Sequence, residues 1–186
     1  MIVVISYLKF WWRSKNEHGV HSPFVFDLVT KCFYDRSKHN NYQHLSKQDS
    51  NSKFLYRFSA YFKFDRSFIP DTIDSNHKCA LALETTCTPF KTIDALINRE
   101  HSFSKAPCFI YLDLEALETN SIKHLLKHCH RDSVLIIKFI RKNQQQFKQW
   151  NKLKDLTEVS VSIDTFYWGL LFLRSEQPKE HFTIRL

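Results

Sequence analysis

A chain of 186 residues with only two glycines, Gly19 and Gly169, has little freedom to make tight left-handed turns. Average usage near ~7% would supply about a dozen. Glycine takes positive φ without steric cost and lets a backbone pass close to a phosphate or cofactor. The rest of the pattern reads as an α/β domain of the nucleotide-binding kind. Such a domain without a glycine-rich loop does not hold its cofactor in the usual way. The sequence therefore points to an enzyme-like fold more clearly than to an enzyme.

The length suits one domain with a real hydrophobic core. With 43% apolar residues, 17 Phe and a single Met, that core must rest on rigid aromatic rings rather than flexible gap-fillers. A formal net charge of +8 favours anionic partners: nucleic acid, phosphorylated metabolites or a lipid surface. The positive residues are spread along the chain, as on the solvated face of an ordinary basic protein. Cys32, Cys79, Cys87, Cys108 and Cys129 are odd in number and none are spaced as a Cys-x-x-Cys pair. Free, mostly buried thiols in a reducing cytoplasm are the expectation.

The first 12 residues are apolar over about ten positions, too few for a bilayer span of ~20, and no small-residue cleavage site follows. The flanking Lys, Arg and Trp residues admit peripheral membrane contact by residues 1–15. The plainer reading is a helix over 2–13 docked on the domain.

Ser22-Pro23 has the look of an N-cap with proline at the first helical position, opening a helix over 23–34. The polar stretch 35–52 reads as a connector. The spacing predicts helices over 53–62, 77–84, 116–129 and 142–155. Strands are expected over 67–70, 91–93, 108–113 and 133–139, then over 159–163, 169–174 and 181–185. The unbroken apolar run Val134-Leu-Ile-Ile137 suggests burial on both faces, as in a parallel sheet. Helices alternating with buried strands argue for a parallel α/β sheet, and the short closing connections argue for an antiparallel edge. The organisation reads as an N-terminal helical extension and connector over 1–52 and an α/β domain over 53–186.

Two blocks carry a family resemblance. The front block runs Tyr7-Leu-Lys-Phe-Trp-Trp-Arg-Ser-Lys-Asn-Glu-His-Gly-Val-His-Ser-Pro-Phe-Val-Phe-Asp27. The tail block runs Val161-Ser-Ile-Asp-Thr-Phe-Tyr-Trp-Gly-Leu-Leu-Phe-Leu-Arg174, followed by Lys179-Glu-His-Phe-Thr-Ile-Arg-Leu186. Together they span about a quarter of the chain and resemble class I S-adenosylmethionine-dependent methyltransferase-like proteins of Bacteroidetes. The resemblance implies a seven-stranded Rossmann-like sheet whose last strand is antiparallel. It places the cofactor at the carboxyl ends of the first strands, the usual switch-point location.

The middle departs from that family's pattern. Its members carry an acidic, glycine-rich turn, E-x-G-x-x-x-G, after the first strand. Here the stretch is Ile69-Pro-Asp-Thr-Ile-Asp-Ser75, with Ile69 at the acidic position and Asp71 and Ser75 at the glycines. If a cofactor binds, the resemblance assigns Asp71 and Asp74 to its amino group and methionine moiety, Asp94 to its ribose hydroxyls and Asp113 to the active-site acid. Between Asp94 and Cys108 the chain is too short for the usual helix and third strand, so the sheet is expected to be reduced by about one strand. A second acidic cluster is replaced by the basic Lys138-Phe-Ile-Arg-Lys142. These departures favour a degenerate methyltransferase-like protein with no cofactor and a protein partner. An active methyltransferase with an atypical loop is the alternative. A nucleic-acid-binding module using Lys138, Arg141, Lys142 and Lys148 is the third reading, and it predicts steep salt dependence.

Other groupings are weaker. His18 and His21 flank Gly19-Val20, read as a turn with Gly19 at positive φ and a histidine capping the following helix. His124 and His128 sit at i and i+4, a spacing that can bind zinc, but no third ligand is identifiable, so no metal is expected. Cys79 and Cys87 have no placed base. Trp168 reads as core or interface, and Gly169 as a position where a side chain would crowd the start of a strand.

Overall fold

The computed structural model describes residues 2–14, 16, 19–45, 49–99, 105–116 and 119–186. Seven strands form one sheet: β1 (Arg66–Pro70), β2 (Thr86–Phe90), β3 (Phe109–Asp113), β4 (Val134–Lys138), β5 (Val161–Asp164), β6 (Trp168–Phe172) and β7 (Glu180–Thr183). Their order is β2-β1-β3-β4-β6-β5-β7. Strands β1 to β4 are parallel, β6 runs antiparallel to both β4 and β5, and β7 pairs parallel with β5. The fold is α/β and Rossmann-like, with the strand order reversing between β1 and β3. On the far side of β2 no further strand occurs among the described residues. The sheet nevertheless reaches seven strands because β7 extends the opposite edge.

Among the described residues seven α-helices accompany the sheet: α1 (Ile2–Arg13), α2 (Pro23–Leu28), α3 (Ser50–Phe62), α4 (Ser75–Ala82), α5 (Ile93–Arg99), α6 (Thr119–His128) and α7 (Gln144–Lys154). Their starts follow from local chemistry. The Asp49 side chain accepts from the Asn51 and Ser52 amides, Asp74 from those of Asn76 and His77, and Asn143 from that of Gln146. Each satisfies helix-terminal N–H groups that have no intrahelical partner. In α3 the buried Phe54, Leu55 and Phe58 form one stripe, as helical spacing requires.

The strands separate two cores. Phe109, Tyr111, Ile136, Leu170 and Phe172 face α2, α3 and α4, where Val25, Leu28, Phe54 and Phe58 meet them. Ile110, Leu112, Leu135, Ile137 and Leu171 face the other layer, with Ile122 and Leu125 of α6 and Trp150 and Leu153 of α7. Alternate residues of β4 thus enter opposite cores, which is why its sequence is apolar throughout.

Several expectations change. The second strand lies at Thr86–Phe90, and Ile93 opens a helix where residues 91–93 read as strand. The β-branched Thr86-Cys-Thr88 segment pairs with Arg66–Phe68 of β1, a non-local choice. The stretch 35–52 is not a bare connector. It holds a 3₁₀ turn, Asn40–His44, and Tyr42 packs on His39 and Tyr56. Helix α3 starts at Ser50, so a division between residues 52 and 53 falls within its first turn. The helix begun at Pro23 widens into a π-helical turn at Val29–Phe33. Ser22 is its N-cap, but the hydroxyl makes no capping bond and is buried without a partner.

Neither glycine has positive φ, so the left-handed turn expected at Gly19 is absent; Lys63, Phe139 and Phe166 take that conformation instead. Gly169 serves contact rather than torsion. A Cβ there would lie 2.6 Å from a Trp150 ring carbon and 2.8 Å from Ile140 Cγ2.

Candidate functional site

Topology brings Asp71, Asp74, Asp94 and Asp113 to the same edge of the sheet, the one at the carboxyl ends of β1, β2 and β3. Asp71 is exposed in the turn after β1, and its amide donates to the Phe90 carbonyl at 2.9 Å. Asp74 is the N-cap of α4, its Oδ1 2.9 Å from the Asn76 amide and 3.3 Å from that of His77. Asp94 is exposed in the first turn of α5. Asp113 ends β3 beside Lys138 of β4, and its Oδ1 accepts from the Glu115 amide at 3.1 Å.

Behind these acids the interior is filled by the chain itself. Trp168, Tyr111 and His77 are 0%, 1% and 4% exposed. Tyr111 meets Trp168 edge to face at 5.9 Å, and His77 lies 5.4 Å from the Trp168 ring. His77 Nδ1 is 3.0 Å from the Tyr111 hydroxyl. Burial lowers the imidazole pKa, and the Lys138 charge lowers it further against the opposing pull of Asp74 and Asp49. Burial also raises the Tyr111 and Tyr167 phenols far above their ordinary value. Both partners of the His77–Tyr111 bond are therefore held neutral. Sequence reasoning passed over His77, although it stands three and four residues before the apolar Ala80 and Leu81, on the buried face of α4.

An open concave surface lies along the β5–β7 side of the sheet. A cleft of about 860 Å³ opens between α1, α7, β5 and β7. It exists because β5 is two-faced: Val161 and Ile163 enter the α3-side core, whereas Ser162 and Asp164 face the cleft. Lys9 and Arg13 enter from α1, Arg141 and Lys142 from the segment before α7, and Lys154 from its last turn, against one lining carboxylate among the described residues, Asp164.

That carboxylate is taken. Arg141 Nη2 lies 2.5 Å from Asp164 Oδ2, with 12% and 8% of the two side chains exposed. The guanidinium stacks over Phe147 at 4.1 Å and lies near Phe10 and Phe166 at 5.4 and 5.9 Å. Phe10 and Tyr7 of α1 in turn pack edge-on against Phe166. These contacts dock α1 on the domain, as the plainer reading of the sequence expected. Lys142 pairs with Glu115. Lys9, Arg13 and Lys154 have no ion-pair partner among the described residues.

On the cleft floor Ser162 Oγ is 2.8 Å from His181 Nδ1, and His181 Nε2 is 3.5 Å from Asp155 Oδ1. Burial lowers the His181 pKa, as do Lys154 and Lys179, while Asp155 opposes them. Lys179 donates to the Asp155 and Leu156 carbonyls past the end of α7 at 2.8 and 2.7 Å.

The remaining sequence candidates are dispersed. Lys138 caps the Phe139 ring at 4.5 Å, Arg141 and Lys142 are ion-paired, and Lys148 is exposed on α7. They do not form one free basic strip. His18 lies outside the described residues, and His21 is exposed. His124 and His128 approach at 3.3 Å on α6, but no group of three His, Cys, Asp or Glu suited to a metal occurs among the described residues. All five cysteines are free. Burial pushes the Cys32 thiol up to about 12, and the Cys129 thiol also rises, as for inert structural thiols. No described helix is long and apolar enough to cross a membrane. Helix α1 still presents Leu8, Trp11 and Trp12 at 60%, 52% and 87% exposure.

Comparison with protein-family models finds no match to this chain, and comparison with curated proteins finds none either.

Proposed function

We propose that this chain is a degenerate methyltransferase-like protein that does not transfer methyl groups and acts as an interaction subunit. The observation that carries the reading is the packing of Trp168, Tyr111 and His77 behind the carboxyl ends of β1 and β3. A methyltransferase of the resembled family would hold S-adenosylmethionine there, and the residues present fit it poorly. Asp74 is bound to the start of α4, and the Ile73 amide closes the β1 turn onto the Pro70 carbonyl at 3.0 Å. No glycine opens that turn for close backbone approach. Asp94 stands on the helix after the edge strand β2, and Asp113 holds its own chain at Glu115.

The exposed Leu8, Trp11 and Trp12 of α1 give the subunit an apolar surface for a protein partner. Five free thiols suit a reducing compartment such as the cytoplasm.

Isothermal titration with S-adenosylhomocysteine tests the reading, at protein concentrations that detect a Kd up to about 1 mM. Folded protein is expected to give no binding heat. Stoichiometric binding that is lost in Asp94→Ala would overturn the proposal and restore the active-enzyme alternative, with Asp71, Asp74, Asp94 and Asp113 in the roles the resemblance assigns.

A further inference from the structure

We propose that the cleft between α1, α7, β5 and β7 binds a small organic phosphate of nucleotide size. The volume, about 860 Å³, falls in the range of small-molecule sites. Its shape follows from two elements meeting at an angle over a polar strand. Along α7, Gln144, Phe147, Asn151 and Lys154 recur at three- and four-residue spacing on the face that borders the cleft. That face spans about 16 Å of helix, and α1 brings Lys9 and Arg13 against it.

The charge is what points to a ligand. Like charges gathered in a concave, partly apolar wall raise the local potential and cost the folded chain energy. Arg141 and Lys142 are neutralised by Asp164 and Glu115, and that accounts for their presence structurally. Lys9, Arg13 and Lys154 have no such account among the described residues. An anion seated between them would supply the missing counter-charge.

The rest of the lining selects the kind of anion. Phe147 and Phe182 are partly exposed and offer apolar contact to an organic body. Asn143, Asn151 and Thr183 offer amide and hydroxyl donors to its oxygens. A concave site of this size accepts a mononucleotide, whereas a nucleic-acid strand needs a longer open track.

His181 provides an internal reporter. Around it stand Ser162 of β5, Lys154 and Asp155 at the end of α7, and Lys179 and Glu180 on its own side. Arg13 and His21 line the smaller adjoining hollow of about 300 Å³ that His181 also borders. A phosphate beside Lys154 favours the imidazolium, so ligand binding raises the His181 pKa, and by reciprocity acid tightens binding.

The test titrates the intact chain with inorganic pyrophosphate and with adenosine diphosphate near neutral pH, at low and at physiological salt. Saturable one-to-one binding is expected, tighter for the nucleotide than for pyrophosphate. Lys154→Gln and the Lys9→Ala/Arg13→Gln pair should each weaken it by about tenfold or more without lowering the unfolding midpoint. Proton NMR should show the His181 pKa moving up on saturation. Absence of saturation up to about 10 mM ligand, or binding indifferent to both sets of substitutions, would overturn the proposal. So would tighter binding of a single-stranded oligonucleotide than of the nucleotide. S-Adenosylhomocysteine carries no phosphate and is assigned elsewhere, so its titration and this one fail independently.

Discussion

The two edges of the sheet handle polar groups in opposite ways. At the carboxyl ends of β1 and β3, His77 and Tyr111 bond to each other, both neutral, beneath a fully buried Trp168. At the β5–β7 edge, five cations line an open cleft with one carboxylate among the described residues. The satisfied His77–Tyr111 pair stabilises the fold at the strand ends, although the buried Trp168 Nε1 beside it has no hydrogen-bond partner among the described residues. In the cleft Arg141 and Lys142 are ion-paired, whereas like charges such as Lys9, Arg13 and Lys154 gathered around a cavity repel one another. The difference separates residues that hold the domain together from residues that line an open cleft.

The comparison breaks most directly at Trp168. Trp168→Ala should cost about 3–5 kcal/mol of unfolding free energy, because a large cavity opens among Phe54, His77, Tyr111 and Tyr167. Urea denaturation measures it. A cost below about 1 kcal/mol would mean that the interior collapses easily there and is no stable plug.

The cleft has one structural element of similar weight. Asp164→Asn leaves Arg141 nearly buried among Phe10, Phe147 and Phe166 without its counter-charge, and about 3 kcal/mol should be lost. Because the same cluster docks α1, limited proteolysis should release the N-terminal segment faster in this variant.

Acid sharpens the contrast. The folded-state pKa of His77 lies below the unfolded value near 6.5, so the unfolded chain takes up the proton first. Its contribution to stability is present above about pH 6.5 and is lost as pH falls through the folded value. His181 shifts in the same direction and adds to the slope. Denaturation midpoints should therefore fall below about pH 6.5. His77→Gln should flatten that limb, and an unchanged limb would assign it to other groups.

The smallest effect is the most discriminating. Lys9→Ala and Lys154→Ala should change the unfolding free energy by less than about 0.5 kcal/mol, or raise it slightly as repulsion is relieved. A loss above ~1 kcal/mol would make these lysines structural, and the two edges would no longer differ in kind.

Much of the frame was readable from residues that act locally. Val134-Leu-Ile-Ile137 announces a strand buried on both faces, because alternate residues of a pleated strand must each meet a core. The stripe Phe54, Leu55 and Phe58 marks its helix, and Gly169 sits where a Cβ would strike Trp150. The second strand is not legible in the sequence because Thr86–Phe90 has no strong apolar run and owes its conformation to pairing with β1. Residue type alone points to a left-handed turn at Gly19, which the backbone does not make. The chain uses Lys63, Phe139 and Phe166 for that purpose, where packing such as that of Phe166 on Phe10 and Tyr7 holds the conformation.

The sequence alone determined the alternation of helices and strands and the surplus of positive charge, since each depends on residues close in the chain or on simple totals. Only the tertiary structure decided where that charge gathers. Lys9, Arg13, Lys154 and His181 meet around one cavity because α1 docks on Phe166 and β7 pairs with β5, and contacts between residues so distant along the chain leave no periodicity in the sequence to read.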